Sequence, residues 1–141
     1  VNKTIRISSD TKSVELDHQQ YFYLLPADKL AVNQGLRIMF DDEFDDYGDL
    51  EIALLRTNTD FFAVSNICPH KHAPKIYEGI IRNGTVTCPL HAWKYDLETG
   101  NNMNTEDGIK KLKKYQIKII DGIIYIEKPK AEIPAWRTAE I

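Results

Sequence analysis

The sequence predicts an all-β domain, and three observations carry that prediction. Short apolar and β-branched runs recur between clusters of turn residues. Two dipeptides, Asn83-Gly84 and Asp121-Gly122, stand where two-residue hairpin turns would place residues of positive φ. No 3.6-residue apolar period persists over about 11 residues, so no amphipathic helix is expected.

Tyr21–Leu25 reads as a strand stopped by Pro26, with a helical turn possible over Ala27–Ala31. Leu36–Phe40 and Leu50–Thr57 read as strands on either side of the acidic segment 41–49. Phe61–Asn66 follows the turn-like Asn58-Thr59-Asp60, which makes 50–66 a hairpin. Ile80–Arg82 and Thr85–Thr87 flank Asn83-Gly84, and Trp93–Leu97 is a further short strand. Tyr115–Ile120 and Ile123–Glu127 flank Asp121-Gly122. Short antiparallel strands of this kind suit a barrel-like domain. A chain of 141 residues is long enough for one domain with a sizeable core, and a Pro-containing tail follows at 129–141.

Composition narrows the class of function. The chain is 43% hydrophobic and 28% charged, ordinary for a globular domain. A formal charge of −3 argues against a nucleic-acid partner, which requires a basic face. No apolar stretch approaches the roughly 20 residues that cross a bilayer, and the first residues show no signal-peptide segment. The expectation is a cytoplasmic protein with no membrane partner.

The chemistry lies in the only two cysteines, Cys68 and Cys88. A disulfide between them is conceivable, but a domain of this size does not need one and the cytoplasm would reduce it. Each cysteine instead has a histidine just downstream. Residues 68–74 read Cys-Pro-His-Lys-His-Ala-Pro, and 88–95 read Cys-Pro-Leu-His-Ala-Trp-Lys-Tyr. The pattern is Cys-x-His, seventeen residues, Cys-x-x-His, with each half in a tight loop after a strand. Two thiolates and two imidazoles suit either a tetrahedral zinc or a [2Fe–2S] cluster of mixed ligation. In the cluster, neutral imidazoles in place of two thiolates raise the reduction potential.

The two boxes and their flanks, Phe62–His70 and Val86–Gly100, resemble the Rieske family over roughly Leu55 to Glu127. The resemblance implies three stacked antiparallel sheets, with a cluster-binding subdomain at about 66–101 inserted in a single domain spanning 1–141. It implies one [2Fe–2S] cluster, with Cys68 and Cys88 on the inner iron and His70 and His91 on the solvent-facing iron. Respiratory members carry a second cysteine in each box and a membrane anchor; Ala73 and Leu90 stand at those cysteine positions here. Where high-potential members place a serine that donates to a cluster sulfur, this chain has Trp93. Tyr95 matches a tyrosine whose hydroxyl reaches a cysteine sulfur. Fewer hydrogen bonds to sulfur favour a potential at the low end of the Rieske range, about −150 mV or somewhat above.

The resemblance therefore implies a soluble electron-transfer protein, not an enzyme by itself: no nucleophile, acid/base pair or substrate pocket is discernible. Its expected partner is a redox protein, namely a flavin reductase, an oxygenase or a large reductase subunit. The box wording leans toward the small subunit of NAD(P)H-dependent nitrite reductase, beside the free ferredoxin of ring-hydroxylating oxygenases. A terminal oxygenase would need a catalytic iron domain for which this length leaves no room. The rival of another class is a structural zinc-binding module.

Other features carry a plain and a sharper reading. His72 and His18 read as surface residues, His72 beside the cluster with a charge change near neutral pH. The acidic run 41–49 reads as a solvated loop, against a docking patch or weak Ca²⁺ site. Phe44 and Tyr47 within it suggest something packed. Lys71, Lys75 and Lys94 flank the cluster tip and are placed to steer an acidic partner. In the third loop, 101–111, Met103 or Ile109 takes the covering role of a missing proline. Trp136 in the tail either packs back on the domain or docks on a larger subunit.

Overall fold

The computed structural model describes residues 3–45, 50–69, 73–90, 93–103 and 111–129. Twelve strands among them form three sheets. They are β1 (Thr4–Ile7), β2 (Ser13–Leu16), β3 (Gln19–Pro26), β4 (Gly35–Phe40), β5 (Glu51–Arg56), β6 (Phe61–Ser65), β7 (Ile80–Arg82), β8 (Thr85–Thr87), β9 (Lys94–Asp96), β10 (Lys114–Tyr115), β11 (Ile117–Ile120) and β12 (Ile123–Glu127). The five-stranded sheet runs β1-β4-β5-β6-β10, the four-stranded sheet β11-β12-β3-β2 and the three-stranded sheet β7-β8-β9. The sheets remain open, so the barrel-like expectation gives way to stacked layers.

The middle layer explains the order. Strand β5 has the continuous apolar run Ile52-Ala-Leu-Leu55, which is what a strand covered on both faces requires. Period-two alternation sends Ile52 and Leu54 into a core shared with Ile38, Phe22 and Ile124 of the two larger sheets. Ala53 and Leu55 point the other way, into a second core shared with Val86, Tyr95 and both cysteines. The five-stranded sheet is thus covered on one face by the four-stranded sheet and on the other by the three-stranded sheet.

The predicted hairpins form. Asn83 and Gly84 take φ of 52° and 74°, and Asp121 and Gly122 take 52° and 77°. Strands β5 and β6 pair antiparallel, and a 3₁₀ turn at Ala27–Lys29 follows Pro26. Three differences stand out. β1 and β2 are absent from the sequence-based strands. β1 pairs parallel to β4, so the larger sheet is not wholly antiparallel. The run Tyr115–Ile120 splits at Gln116: β10 joins β6, while β11 joins β12 in another sheet. Gln116 is held at the corner, its N–H donating to Glu127 Oε2 at 2.6 Å and its side chain accepting from the Tyr21 hydroxyl at 3.1 Å.

Phe44 settles the packing half of the acidic-loop question. Its ring meets Phe22 edge-on at 5.4 Å and Phe40 at 6.3 Å, pinning the loop to the first core. Glu43 accepts the Ser9 N–H at 2.8 Å, Asp45 accepts the Leu50 N–H at 3.1 Å, and Asp41 lies 3.5 Å from Arg6. These carboxylates serve their own chain; Asp46, Tyr47 and Asp49 lie outside the described residues. His18 is exposed, as expected. No helix among the described residues is long and apolar enough to cross a membrane.

Candidate metal centre

Cys68 and Cys88 leave the ends of β6 and β8 and are wholly buried in the second core. They are not disulfide-bonded. Each begins a loop closed by the same backbone bond. The Cys68 N–H donates to the Ala73 carbonyl at 3.0 Å, and the Cys88 N–H donates to the Trp93 carbonyl at 2.8 Å. The neck therefore closes five residues on in both loops, although one box is Cys-x-His and the other Cys-x-x-His. Each cysteine is followed by a proline, whose fixed φ supports this tight start. His70 and His91 lie outside the described residues, as do Lys71 and His72.

Tyr95 is also fully buried, on β9 opposite Val86. Its hydroxyl lies 3.5 Å from Cys68 Sγ, as the resemblance implied. The bond crosses from the second loop's hairpin to the first loop's cysteine. Trp93 is buried at the neck of the second loop. Met103 is half exposed, and its N–H donates to the Lys94 carbonyl at 2.8 Å, placing the start of the third loop beside β9. Ile109 lies outside the described residues. Lys75 pairs with Glu78 at 3.4 Å, and Lys94 is exposed.

The polar frame beneath the first loop had no counterpart in the sequence reading. Asn66 is fully buried and bonds in every direction. Its Nδ2 donates to Glu51 Oε1 at 3.0 Å and to the Pro74 carbonyl at 3.1 Å, while its Oδ1 accepts the Tyr77 N–H at 2.8 Å. Arg37 grips the same carboxylate with two bonds, of 2.6 and 2.9 Å. Hydrogen bonding to Glu51 holds the Arg37 guanidinium above its ordinary pKa, against a smaller opposing push from burial. Two glycines allow the close packing. A Cβ on Gly35 would lie 2.1 Å from the Tyr77 carbonyl oxygen, and one on Gly79 would lie 2.7 Å from that of Thr87. Period-two patterning marks Arg37 as an outward residue of β4, so its pairing with Glu51 on β5 becomes visible only in the fold.

Two buried thiols, unjoined and each at the neck of a loop that carries a histidine, form a donor set suited to a thiolate-bound metal. Coordination deprotonates a thiol outright, which is the form in which a buried cysteine binds a metal. Residues 28–116 match the Rieske [2Fe-2S] domain. The chain belongs to that family. With the family comes one [2Fe–2S] cluster.

Individual relatives are more distant. The chain is 40% identical over 77 residues to the 3-phenylpropionate/cinnamic acid dioxygenase ferredoxin subunit of Photorhabdus laumondii, covering 54% of this chain and 71% of that one. It is 29% identical over 91 residues to human apoptosis-inducing factor 3, covering 64% of this chain. The match spans only 15% of that human protein's length. In fold, it is similar to a Mycobacterium tuberculosis protein assigned as an NADH-dependent nitrite reductase small subunit, with a TM-score of 0.66 at 23% identity, covering 82% of this chain and all of that one.

Proposed function

We propose that this domain is a soluble, low-potential one-electron carrier whose cluster is held by Cys68 and Cys88 on the inner iron and by His70 and His91 on the outer iron. The observation that carries the assignment is the pair of matched loop necks, each starting from a buried cysteine in one shared core. The box spacing supplies the two histidines, one beyond each neck. When bound, the cluster supplies a reversible one-electron couple.

The chain's own residues do the rest. The second core shields the sulfur side, and the Tyr95 hydroxyl donates to Cys68 once that thiol is a thiolate. The histidine side is the docking face for a redox protein: a flavin reductase, an oxygenase or a large reductase subunit. Lys94 is exposed next to the second loop's neck at Trp93, which suits an acidic partner. Residues 1–141 act as one domain, with the cluster-binding part at about 66–101 and a tail at 129–141. The site of action is the cytoplasm, and the reduction potential is about −150 mV or somewhat above.

The test is an EPR spectrum of the dithionite-reduced protein, with iron and zinc quantified on the same sample. A rhombic signal with about two irons per chain establishes mixed histidine–cysteine ligation. Stoichiometric zinc without a signal, in protein made with iron available and kept from oxygen, would make this a structural zinc module. The wording Cys-Pro-His-Lys and Cys-Pro-Leu-His-Ala-Trp-Lys favours a second reading, the small subunit of a nitrite reductase. Co-purification with a large haem- and flavin-containing subunit would select it; rapid reduction by a small flavin reductase would select the free ferredoxin.

A further inference from the structure

The first cysteine loop has no strand to return on. After Ala73 the chain passes through Pro74 into a 3₁₀ turn at Ile76–Glu78, so no β ladder joins its two limbs. Asn66 replaces the ladder. Its side chain bonds Pro74 and Tyr77, and its carbonyl accepts the Ile76 N–H at 3.2 Å. Glu51 of the central strand β5 holds Asn66 twice, by the carboxylate at 3.0 Å and by its backbone carbonyl, which accepts the Asn66 N–H at 2.9 Å.

The orientation of the amide is fixed by these partners. A flipped Asn66 would turn oxygen toward the Glu51 carboxylate and the Pro74 carbonyl and NH₂ toward the Tyr77 N–H, three repulsive contacts inside a buried site. Arg37 closes the circuit: it clamps Glu51, and its guanidinium lies over the Tyr77 ring at 5.9 Å. The side chains of Glu51 and Arg37 are only 12% and 25% exposed, so water competes weakly for these bonds.

We propose that Asn66, locked by Glu51 and Arg37, is the positioning residue that fixes the Cys68 loop on the central sheet and thereby sets how firmly that loop keeps the cluster. The proposal rests on Cys68 and His70 being ligands. It assigns no contact between Asn66 and the cluster; the residue acts through the loop.

Asn66→Asp is nearly isosteric and separates this role from packing. It keeps the acceptor for Tyr77 but turns both Nδ2 bonds into oxygen–oxygen contacts, one of them against a carboxylate. The measurement is the rate of iron release to a chelator from the cluster-loaded protein, at a temperature where circular dichroism shows every variant folded. Reduction potentials are read on the same samples. Release from Asn66→Asp is expected to rise on the order of 10-fold, the low end of the effect on affinity of groups that bond a metal ligand directly, because Asn66 acts one step further out.

Adding Glu51→Gln moves the one negative charge from position 51 to position 66 and restores a donor between them, so the double variant recovers part of the loss. Ile124→Val, in the core on the far face of the sheet, serves as the control and leaves the release rate unchanged. If Asn66→Asp fails to fold, Arg37→Gln carries the test, with a smaller rise of several-fold. The proposal is overturned if Asn66→Asp releases iron no faster than Ile124→Val, or if Glu51→Gln restores nothing. Wild-type protein that holds no [2Fe–2S] cluster overturns the ligand assignment itself, a result visible before any variant is made.

Discussion

The two cysteine loops arrive at the same neck by different routes. The Cys88 loop tops a regular hairpin in which Thr85, Val86 and Thr87 pair with Asp96, Tyr95 and Lys94, and the bond from Cys88 to Trp93 simply continues the ladder. The Cys68 loop leaves β6 and comes back through a proline and a 3₁₀ turn, so below its two backbone bonds, Cys68 to Ala73 and Ile76 to Asn66, its base is gathered by one buried amide. A ladder spreads the task over many backbone bonds that no side-chain substitution removes. A side-chain hub concentrates it, and a single change there leaves several buried groups without partners, at about 1–3 kcal/mol for each. The first loop is therefore the one whose hold is open to tuning.

The largest effect should ignore this difference. Cys68→Ala and Cys88→Ala should each bring iron from about two per chain to nearly none, with loss of visible absorption. A cluster that survived one of these changes and not the other would break the assignment of equal ligand roles. The next effect should separate the loops. Gly35→Ala drives a methyl group into the Tyr77 carbonyl under the first loop, where backbone cannot move aside easily. It should cost about 1–3 kcal/mol in a denaturant melt and also speed iron release below the melting range.

How much of this was legible follows from what each element depends on. β5 declared itself because burial on both faces demands an unbroken apolar run. The Asn-Gly and Asp-Gly hairpins declared themselves because few residues tolerate positive φ. The hairpin of β2 and β3 uses the same backbone at Asp17 and His18, with φ of 53° and 65°, but without glycine, and so went unread. The parallel partner of β1 depends on a long-range pairing that local pattern cannot encode. At the site, residue type and spacing pointed to Cys68 and Cys88, since ligand chemistry restricts them, and the family resemblance pointed to Tyr95. Asn66, Glu51 and Arg37 stayed hidden because an asparagine and an ion pair are ordinary in sequence, and only the fold brings a buried amide against a partly covered ion pair.

A weaker probe touches only the second loop's support. Asn83→Ala keeps φ near 52° at the tip of the β7–β8 turn but with a residue that avoids it, at about 1 kcal/mol. Thermal melting should show that loss, while iron release at temperatures well below the melt should match wild type, because the ladder beneath Cys88 stays paired. A rise in release as large as that of Gly35→Ala would erase the distinction between ladder and hub.

The smallest effect tests the one bond that joins the loops. Tyr95 belongs to the second loop's hairpin, yet its hydroxyl meets the sulfur of the first loop's cysteine. A donor at a cluster sulfur favours the reduced, more negative state, so Tyr95→Phe should lower the reduction potential. A hydrogen bond of this kind contributes about 0.5–1.5 kcal/mol. For a one-electron couple, where a tenfold change in equilibrium constant is about 59 mV, that corresponds to a fall of roughly 20–60 mV in a potentiometric titration. The ring stays in place in the second core, so fold stability and iron content should remain close to wild type. A potential unchanged within about 10 mV, well under one such bond, would mean that the hydroxyl does not donate to the sulfur in the loaded protein. The loops would then be coupled through their shared core alone.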